Sequence, residues 1–77
     1  MSKKYSEEFK RLGLNIQYYR KLNGLTQLQL AEIVNISRTH ISNIEAPNVD
    51  ATISLELLLD IAKALNISVS QLLNFEK

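Results

Sequence analysis

The sequence contains no cysteine, one proline, two glycines and one histidine in 77 residues. Without cysteine, neither a disulfide nor cysteine-ligated zinc can staple the fold, and the usage fits a reducing compartment. With His40 as the only histidine, no second imidazole or thiol completes a metal site. No glycine-rich loop cradles phosphates, and no nucleophile has an evident base. The pattern therefore argues against an enzyme and implies no metal and no cofactor. No apolar run approaches the ~20 residues of a membrane span. The start, Met1-Ser2-Lys3-Lys4-Tyr5, carries charge but no apolar stretch follows it, so it is not a signal peptide. The expectation is a soluble, cytoplasmic chain without membrane association.

The sequence also shows no internal repeat, no low-complexity segment and no flexible linker. One domain over residues 1–77 is expected, with a short flexible N-terminus of about 1–5. A domain this small has a thin stability margin, although 45% hydrophobic residues suffice for a helical core. Nine basic against eight acidic residues leave a net charge of +1, a weak footprint for a polyanionic partner. The distribution is more telling. Glu7, Glu8, Glu56, Asp60 and Glu76 lie in the outer segments, whereas within residues 27–43 the one acid is Glu32, set against Arg38. A local, modestly positive face is expected.

Helical periodicity dominates, and strand signals are weak. Helix 1 is predicted over Ser6–Leu22. Ser6 is read as its cap, Glu7 and Glu8 suit the positive helix start, and Phe9, Leu12, Ile16 and Tyr19 form one apolar stripe. Gly13 inside this helix suggests close packing against another helix, and Gly24 ends the helix in a left-handed conformation. Helix 2 opens on a capping box, Thr26 with Gln29. Leu30, Ile33 and Val34 are predicted to face inward. Asn35 tolerates the left-handed backbone of a turn, and Ile36 is the turn's buried residue. Ser37 caps helix 3, which continues to about Glu45 with Ile41 and Ile44 inward. Pro47 biases Ala46 away from helix, so residues 46–52 form a loop. Helix 4 begins at Ser54, with Ile53 and Leu58 spaced as a hydrophobic staple, and its core stripe is Leu58, Ile61, Ala62 and Leu65. Asn66 closes it. A second capping box, Ser68 with Gln71, opens a short helix 5 carrying Leu72 and Leu73.

Helices 2 and 3 meet the requirements of a helix-turn-helix in one register. The unit needs a small residue at the helix crossing, a left-handed residue opening the turn, and apolar residues inside. Ala31, Asn35 and the set Leu30, Val34, Ile36, Ile41 and Ile44 supply these. Such a unit places its second helix in the major groove of DNA.

The segment resembles the Cro- and Xre-like phage-repressor family. The resemblance is carried by Leu12-Gly13, Ile16 and Arg20, then Gly24-Leu25-Thr26-Gln27 and Leu30-Ala31. It continues through Ser37-Arg38-Thr39, Ile41-Ser42, Ile44-Glu45, Leu58 and Ile61-Ala62-Lys63-Ala64-Leu65, from about Phe9 to Leu73. It implies an all-α, compact five-helix bundle of the phage-repressor type, with the helix-turn-helix on helices 2 and 3. It also implies an ion pair between Arg20 and Glu45, tying helix 1 to the end of helix 3. The run Arg38-Thr39-His40-Ile41-Ser42 is similar to one in controller proteins of restriction–modification systems. The loop Ala46-Pro47-Asn48-Val49-Asp50 departs from the family, many of whose members carry glycine and basic residues there.

The candidate base readers are Arg38, Thr39, Asn43 and His40. Arg38 can donate two parallel hydrogen bonds to guanine O6 and N7, Asn43 can pair in the same bidentate way with adenine, and the Thr39 methyl fits a thymine methyl. His40 is expected near the DNA edge or in solvent. Gln27, at the start of helix 2, is a candidate phosphate contact beside free backbone amides. Ser37 and Ser42 are others, although Ser37 also serves as a cap. Each of these has a plainer reading as surface polarity on a short helix. Tyr5, Leu14, Tyr18, Leu57, Leu73 and Phe75 lie off the core stripe and are predicted to form an apolar patch for a homodimer. One recognition helix reads few base pairs, and half-sites ~34 Å apart on a palindromic operator are the usual remedy.

The leading expectation is thus a sequence-specific regulator that binds double-stranded DNA, a repressor or controller protein reading the major groove with residues 38–45. The competing expectation is a protein-interaction module, antitoxin-like or an anti-repressor, that reuses the fold for a protein partner. The weak net charge and the altered loop favour it, and the set Gln27, Arg38 and Thr39 opposes it.

Overall fold

A computed structural model describes residues 4–49 and 51–75. Those residues form five helices and no strand: α1 (Ser6–Leu22), α2 (Gln27–Val34), α3 (Arg38–Glu45), α4 (Leu55–Ala64) and α5 (Val69–Leu72). The chain is all-helical, as the periodicity predicts. Residues 1–3 of the expected flexible start and Asp50 of the expected loop lie outside the described residues.

Side chains satisfy backbone amides at four of the five helix starts. Thr26 Oγ1 accepts from Gln29 N at 3.0 Å, and Gln29 Oε1 accepts from Thr26 N at 2.8 Å. The same reciprocal box joins Ser68 and Gln71. Ser37 Oγ accepts from His40 N, and Ser54 Oγ from Leu57 N, both at 3.1 Å. The start of α1 differs from the expectation. Ser6 is the first helical residue, and Tyr5 occupies the cap position without a side-chain bond. Phe9 N donates to Tyr5 O at 3.0 Å, which winds the helix one residue earlier than a Ser6 cap permits. Glu7 and Glu8 then meet the exposed amides of the first turn electrostatically.

The connections follow from residues that accept positive φ. Gly24 (φ 72°) ends α1, Asn35 (φ 60°, ψ 47°) turns the chain from α2 into α3, and Asn66 (φ 59°) follows α4. A left-handed backbone costs most residues roughly 1–2 kcal/mol, and the short polar side chain of Asn tolerates it.

The core gathers one face of every helix: Leu12 and Ile16 from α1, Leu30, Ala31 and Val34 from α2, and Ile41 and Ile44 from α3. Leu58, Ile61 and Ala62 from α4, with Leu65 and Leu72, complete it. Ile33 is a correction. It is 56% exposed, because α2 buries Leu30, Ala31 and Val34, and Ile33 lies on the flank of that face. There it lines a shallow cavity with Asp60, Lys63 and Ala64 of α4. Ile36 is half-buried against the core rather than enclosed by it. At Gly13 a Cβ would overlap the Ile44 carbonyl oxygen, so α1 and α3 approach backbone to backbone.

Hydrogen bonds from α1 and its C-cap Asn23 hold down the chain after α4. Asn15 Nδ2 donates to Leu72 O at 2.8 Å and to Asn74 O at 3.2 Å. Arg11 Nη1 donates to Phe75 O at 3.1 Å, and Asn23 Nδ2 donates to Leu65 O at 3.2 Å. This lays Phe75 beside α1. Tyr5, Phe9, Leu12, Leu73 and Phe75 line an almost wholly apolar cavity of about 340 Å³, and Phe75 shares a neighbouring one with Leu14. Leu73 is not in α5 but follows it, and is 45% exposed. Of the residues expected to form one apolar patch, Leu57 stands apart. It is half-buried and lines a different cavity, with Ile36 and His40, between α3 and α4. The helical rotation of α4 puts Leu57 on the side that meets α3. No helix among the described residues is long and apolar enough to cross a membrane.

Candidate nucleic-acid interface

The orientation of α3 is set at both ends. At its start, Asn35 reverses the chain and Ser37 caps the helix. At its end stands Glu45, whose side chain is 1% exposed. A carboxylate at a helix C-terminus meets the negative end of the helix dipole, so it needs donors from elsewhere. Arg20 of α1 supplies two: Nε to Oε2 at 2.7 Å and Nη2 to Oε1 at 2.9 Å. The Arg20 side chain is 8% exposed, and its guanidinium also donates through Nη1 to Leu25 O at 2.7 Å. Arg20 and Glu45 thus form a buried bidentate ion pair that links α1, the α1–α2 connection and α3.

Two glutamines complete the set. Gln27 Nε2 donates to Glu45 Oε1 at 3.1 Å, and Gln17 Nε2 donates to the same oxygen at 3.4 Å. Gln17 is absent from the residues that sequence reasoning singled out. A signal for it existed, since Gln17 precedes Arg20 by three positions and so shares its helix face. The Gln27–Glu45 bond was not foreseen by sequence reasoning, because it depends on how three helices meet. No buried side-chain nitrogen or oxygen among the described residues lacks a hydrogen-bond partner.

The outer side of α3 is the opposite case. Ile41, Ile44 and Glu45 face inward, which turns Thr39 and Asn43, four residues apart, to the outside. Arg38, Thr39 and Asn43 are all exposed, and their side chains have no partner among the described residues. Ser42 is half-buried at one flank. Ser37 Oγ accepts the amide of His40 and retains its own hydroxyl proton for donation. His40 is exposed but sits on the α4 flank, lining a cavity with Ser54, Glu56 and Asp60. It is therefore set apart from the face that holds Thr39 and Asn43. Among the described residues, no three His, Cys, Asp or Glu side chains are grouped so as to hold a metal ion.

The arrangement is a two-helix unit held from behind by hydrogen bonds, presenting a row of donors and acceptors unpaired among the described residues, with its one buried acid neutralised. A family model described as helix-turn-helix matches residues 16–72. Control protein C.SmaI of Serratia marcescens is 45% identical over 62 residues, covering 80% of this chain and 71% of that protein. Of other curated relatives the chain spans 40–54% of the length. Among solved structures, the restriction–modification controller protein C.AhdI from Aeromonas hydrophila is similar with a TM-score of 0.78 and 26% identity, covering 86% of this chain and 97% of that one. The biofilm regulator SinR, solved in complex with DNA, is similar with a TM-score of 0.75 and 32% identity over 82% of this chain and 98% of that one.

Proposed function

This chain belongs to the Xre-like helix-turn-helix family and is a DNA-binding transcriptional regulator, and we propose that it reads a palindromic operator by placing α3 in the major groove. The observation that carries this reading is the row Arg38, Thr39 and Asn43, exposed and unpaired on a helix whose orientation is fixed from behind. In the groove, Arg38 donates to a guanine, Asn43 pairs with an adenine and the Thr39 methyl packs on a thymine methyl. Gln27, Ser37 and Ser42 serve the phosphates on either side, aided by the free amides at the start of α2. His40, set on the α4 flank, is assigned to the edge of the footprint.

A second copy completes the operator reading. The chain measures 30 × 26 × 20 Å, about one turn of duplex, so a twofold pair can set two α3 helices one turn apart. The apolar residues collected around Phe75 support self-association. Such a dimer acts in the cytoplasm by occupying promoter DNA, which blocks or recruits transcription according to where the operator lies.

The test is selection of bound duplexes from a random library at moderate salt, repeated with Arg38→Ala. The reading expects an enriched palindrome that relaxes at one base pair in each half-site of the variant. Absence of enrichment, with weak binding that vanishes as salt rises, would leave non-specific attraction alone. The fold would then serve a protein partner instead.

A further inference from the structure

One oxygen in the buried cluster has more donors than it can use. Glu45 Oε1 accepts from Arg20 Nη2 at 2.9 Å, Gln27 Nε2 at 3.1 Å and Gln17 Nε2 at 3.4 Å, while Oε2 accepts from Arg20 Nε at 2.7 Å. A carboxylate oxygen offers about two lone-pair directions, so one of the three donors on Oε1 is surplus. Arg20 is not the surplus one, since its other bonds to Oε2 and to Leu25 O hold it in place. The excess falls on the two amides.

Their positions differ. Gln17 lies mid-way along α1, at the long end of hydrogen-bond distance from Glu45. Gln27 is the first residue of α2, directly after the exposed cap Thr26, on the rim where a DNA backbone would pass. Both are half-buried, so each can be near the carboxylate without being enclosed by it.

We propose that Gln17 is a reserve donor that frees Gln27 for DNA. As the duplex docks, the Gln27 amide turns from Glu45 to a phosphate oxygen. Gln17 then closes its long bond onto Oε1, so that the buried carboxylate keeps its full set of donors. The Gln27 amide carries two N–H donors, and where the one aimed at Glu45 is the one that turns to phosphate, a Glu45 bond is lost without that replacement; a hydrogen bond to a buried charged group is costly to leave unmade. Gln17 in this scheme is a positioning residue: it touches no DNA and acts through Glu45 and Gln27. The inference rests on the reading of Gln27 as a phosphate contact.

A double-mutant cycle tests it. Gln17→Met keeps the side-chain volume and removes the donor; Gln27→Ala removes the phosphate contact. Affinity of the full chain for the duplex enriched by selection is measured by fluorescence anisotropy, with thermal melting as the control for folding. The expected result is a loss of about tenfold or more in each single variant, the scale of one hydrogen bond to a charged acceptor. The double variant is expected to bind no more weakly than Gln27→Ala alone, and the melting temperature of Gln17→Met to stay within a few degrees of the parent. Equal losses from Gln17→Met with and without Gln27 would overturn the proposal, because Gln17 would then act on α3 independently. A silent Gln17→Met beside a weakened Gln27→Ala would also overturn it, showing that Gln27 reaches phosphate without leaving Glu45, and would leave the phosphate reading intact. A silent Gln27→Ala would remove the phosphate reading, and the proposal with it.

Discussion

The inner end of α3 and its outer face treat polar groups in opposite ways. At the inner end, Glu45 and Arg20 are buried, and each finds partners on other elements. On the outer face Arg38, Thr39 and Asn43 are exposed and unpaired among the described residues. The two arginines make the contrast sharpest. Arg20 spends its guanidinium on a carboxylate and a carbonyl, while Arg38 keeps all its donors free. The inner end spends its polar groups on holding the helix, which is what allows the outer face to leave its own groups unspent. A free donor row on a poorly held helix would find partners within the protein or move with the helix, and either would blur base reading.

The largest effect is therefore expected from breaking the inner end. Glu45→Ala strands the Arg20 guanidinium in a buried site, a loss of about 3–5 kcal/mol. Small domains have only ~5–15 kcal/mol to lose, so chemical denaturation should show a strongly lowered midpoint, and DNA affinity should fall with the folded fraction. An unfolding free energy within a few tenths of a kcal/mol of the parent's would mean that the pair orients α3 without stabilising the chain.

Breaking the outer face should do the reverse. Arg38→Ala is expected to leave the denaturation midpoint unchanged and to cost about 1–3 kcal/mol of operator binding, the scale of one bidentate contact to guanine. The loss should concentrate at one base pair per half-site. A uniform loss across sequences would instead make Arg38 a phosphate contact. Between these two extremes lies Ser37, at the other end of α3, which holds the helix and also stands beside its outer face. Its hydroxyl oxygen caps α3 through His40 N, so Ser37→Ala should cost about 1 kcal/mol of stability. Any loss of DNA affinity beyond the change in folded fraction would show that the hydroxyl also donates to phosphate.

How far each region is legible in the sequence follows from the kind of interaction that builds it. Local, periodic features were readable. The boxes Thr26–Gln29 and Ser68–Gln71, the caps Ser37 and Ser54, and the left-handed Asn35 all act within a few residues of chain, and they fix four helix starts and the central turn. Ser6 and Ile33 were misread because residue type outweighed geometry there. Serine is a common cap, yet the chain winds one residue earlier. Isoleucine is a core residue by type, yet Ile33 lies on the flank of the buried face of α2. The Arg20–Glu45 link came from family resemblance, since no spacing rule pairs residues on different helices. The bonds of Gln17 and Gln27 to Glu45, and of Asn15 and Arg11 to backbone carbonyls near the chain end, were not legible. They depend on where helices meet, and a backbone acceptor leaves no mark in the sequence.

The smallest expected effect is that of salt. Within residues 27–49 the formal charges are Arg38, Glu32 and Glu45, and Glu45 is neutralised from behind by Arg20. On the proposed reading the outer face meets DNA through amides, hydroxyls and helix-start N–H groups, with Arg38 its one cation per protomer. Counterion release follows the number of phosphates neutralised by cations, with a slope near −0.9 for each. Counting Arg38, whose charge in the groove lies near the backbone even as it bonds a guanine, as at most one neutralised phosphate per protomer, raising salt from ~50 to ~200 mM should weaken binding by no more than about threefold per protomer, against ~10³-fold or more for proteins that neutralise six or more phosphates. Affinity measured across that range on the enriched duplex checks this, and Arg38→Ala should flatten the dependence further. A steep slope that persists in Arg38→Ala would place cations of other elements, such as Lys10, Lys21 or Lys63, against the duplex. The division of labour between an inner end that holds and an outer face that reads would then have to include a third, purely electrostatic surface.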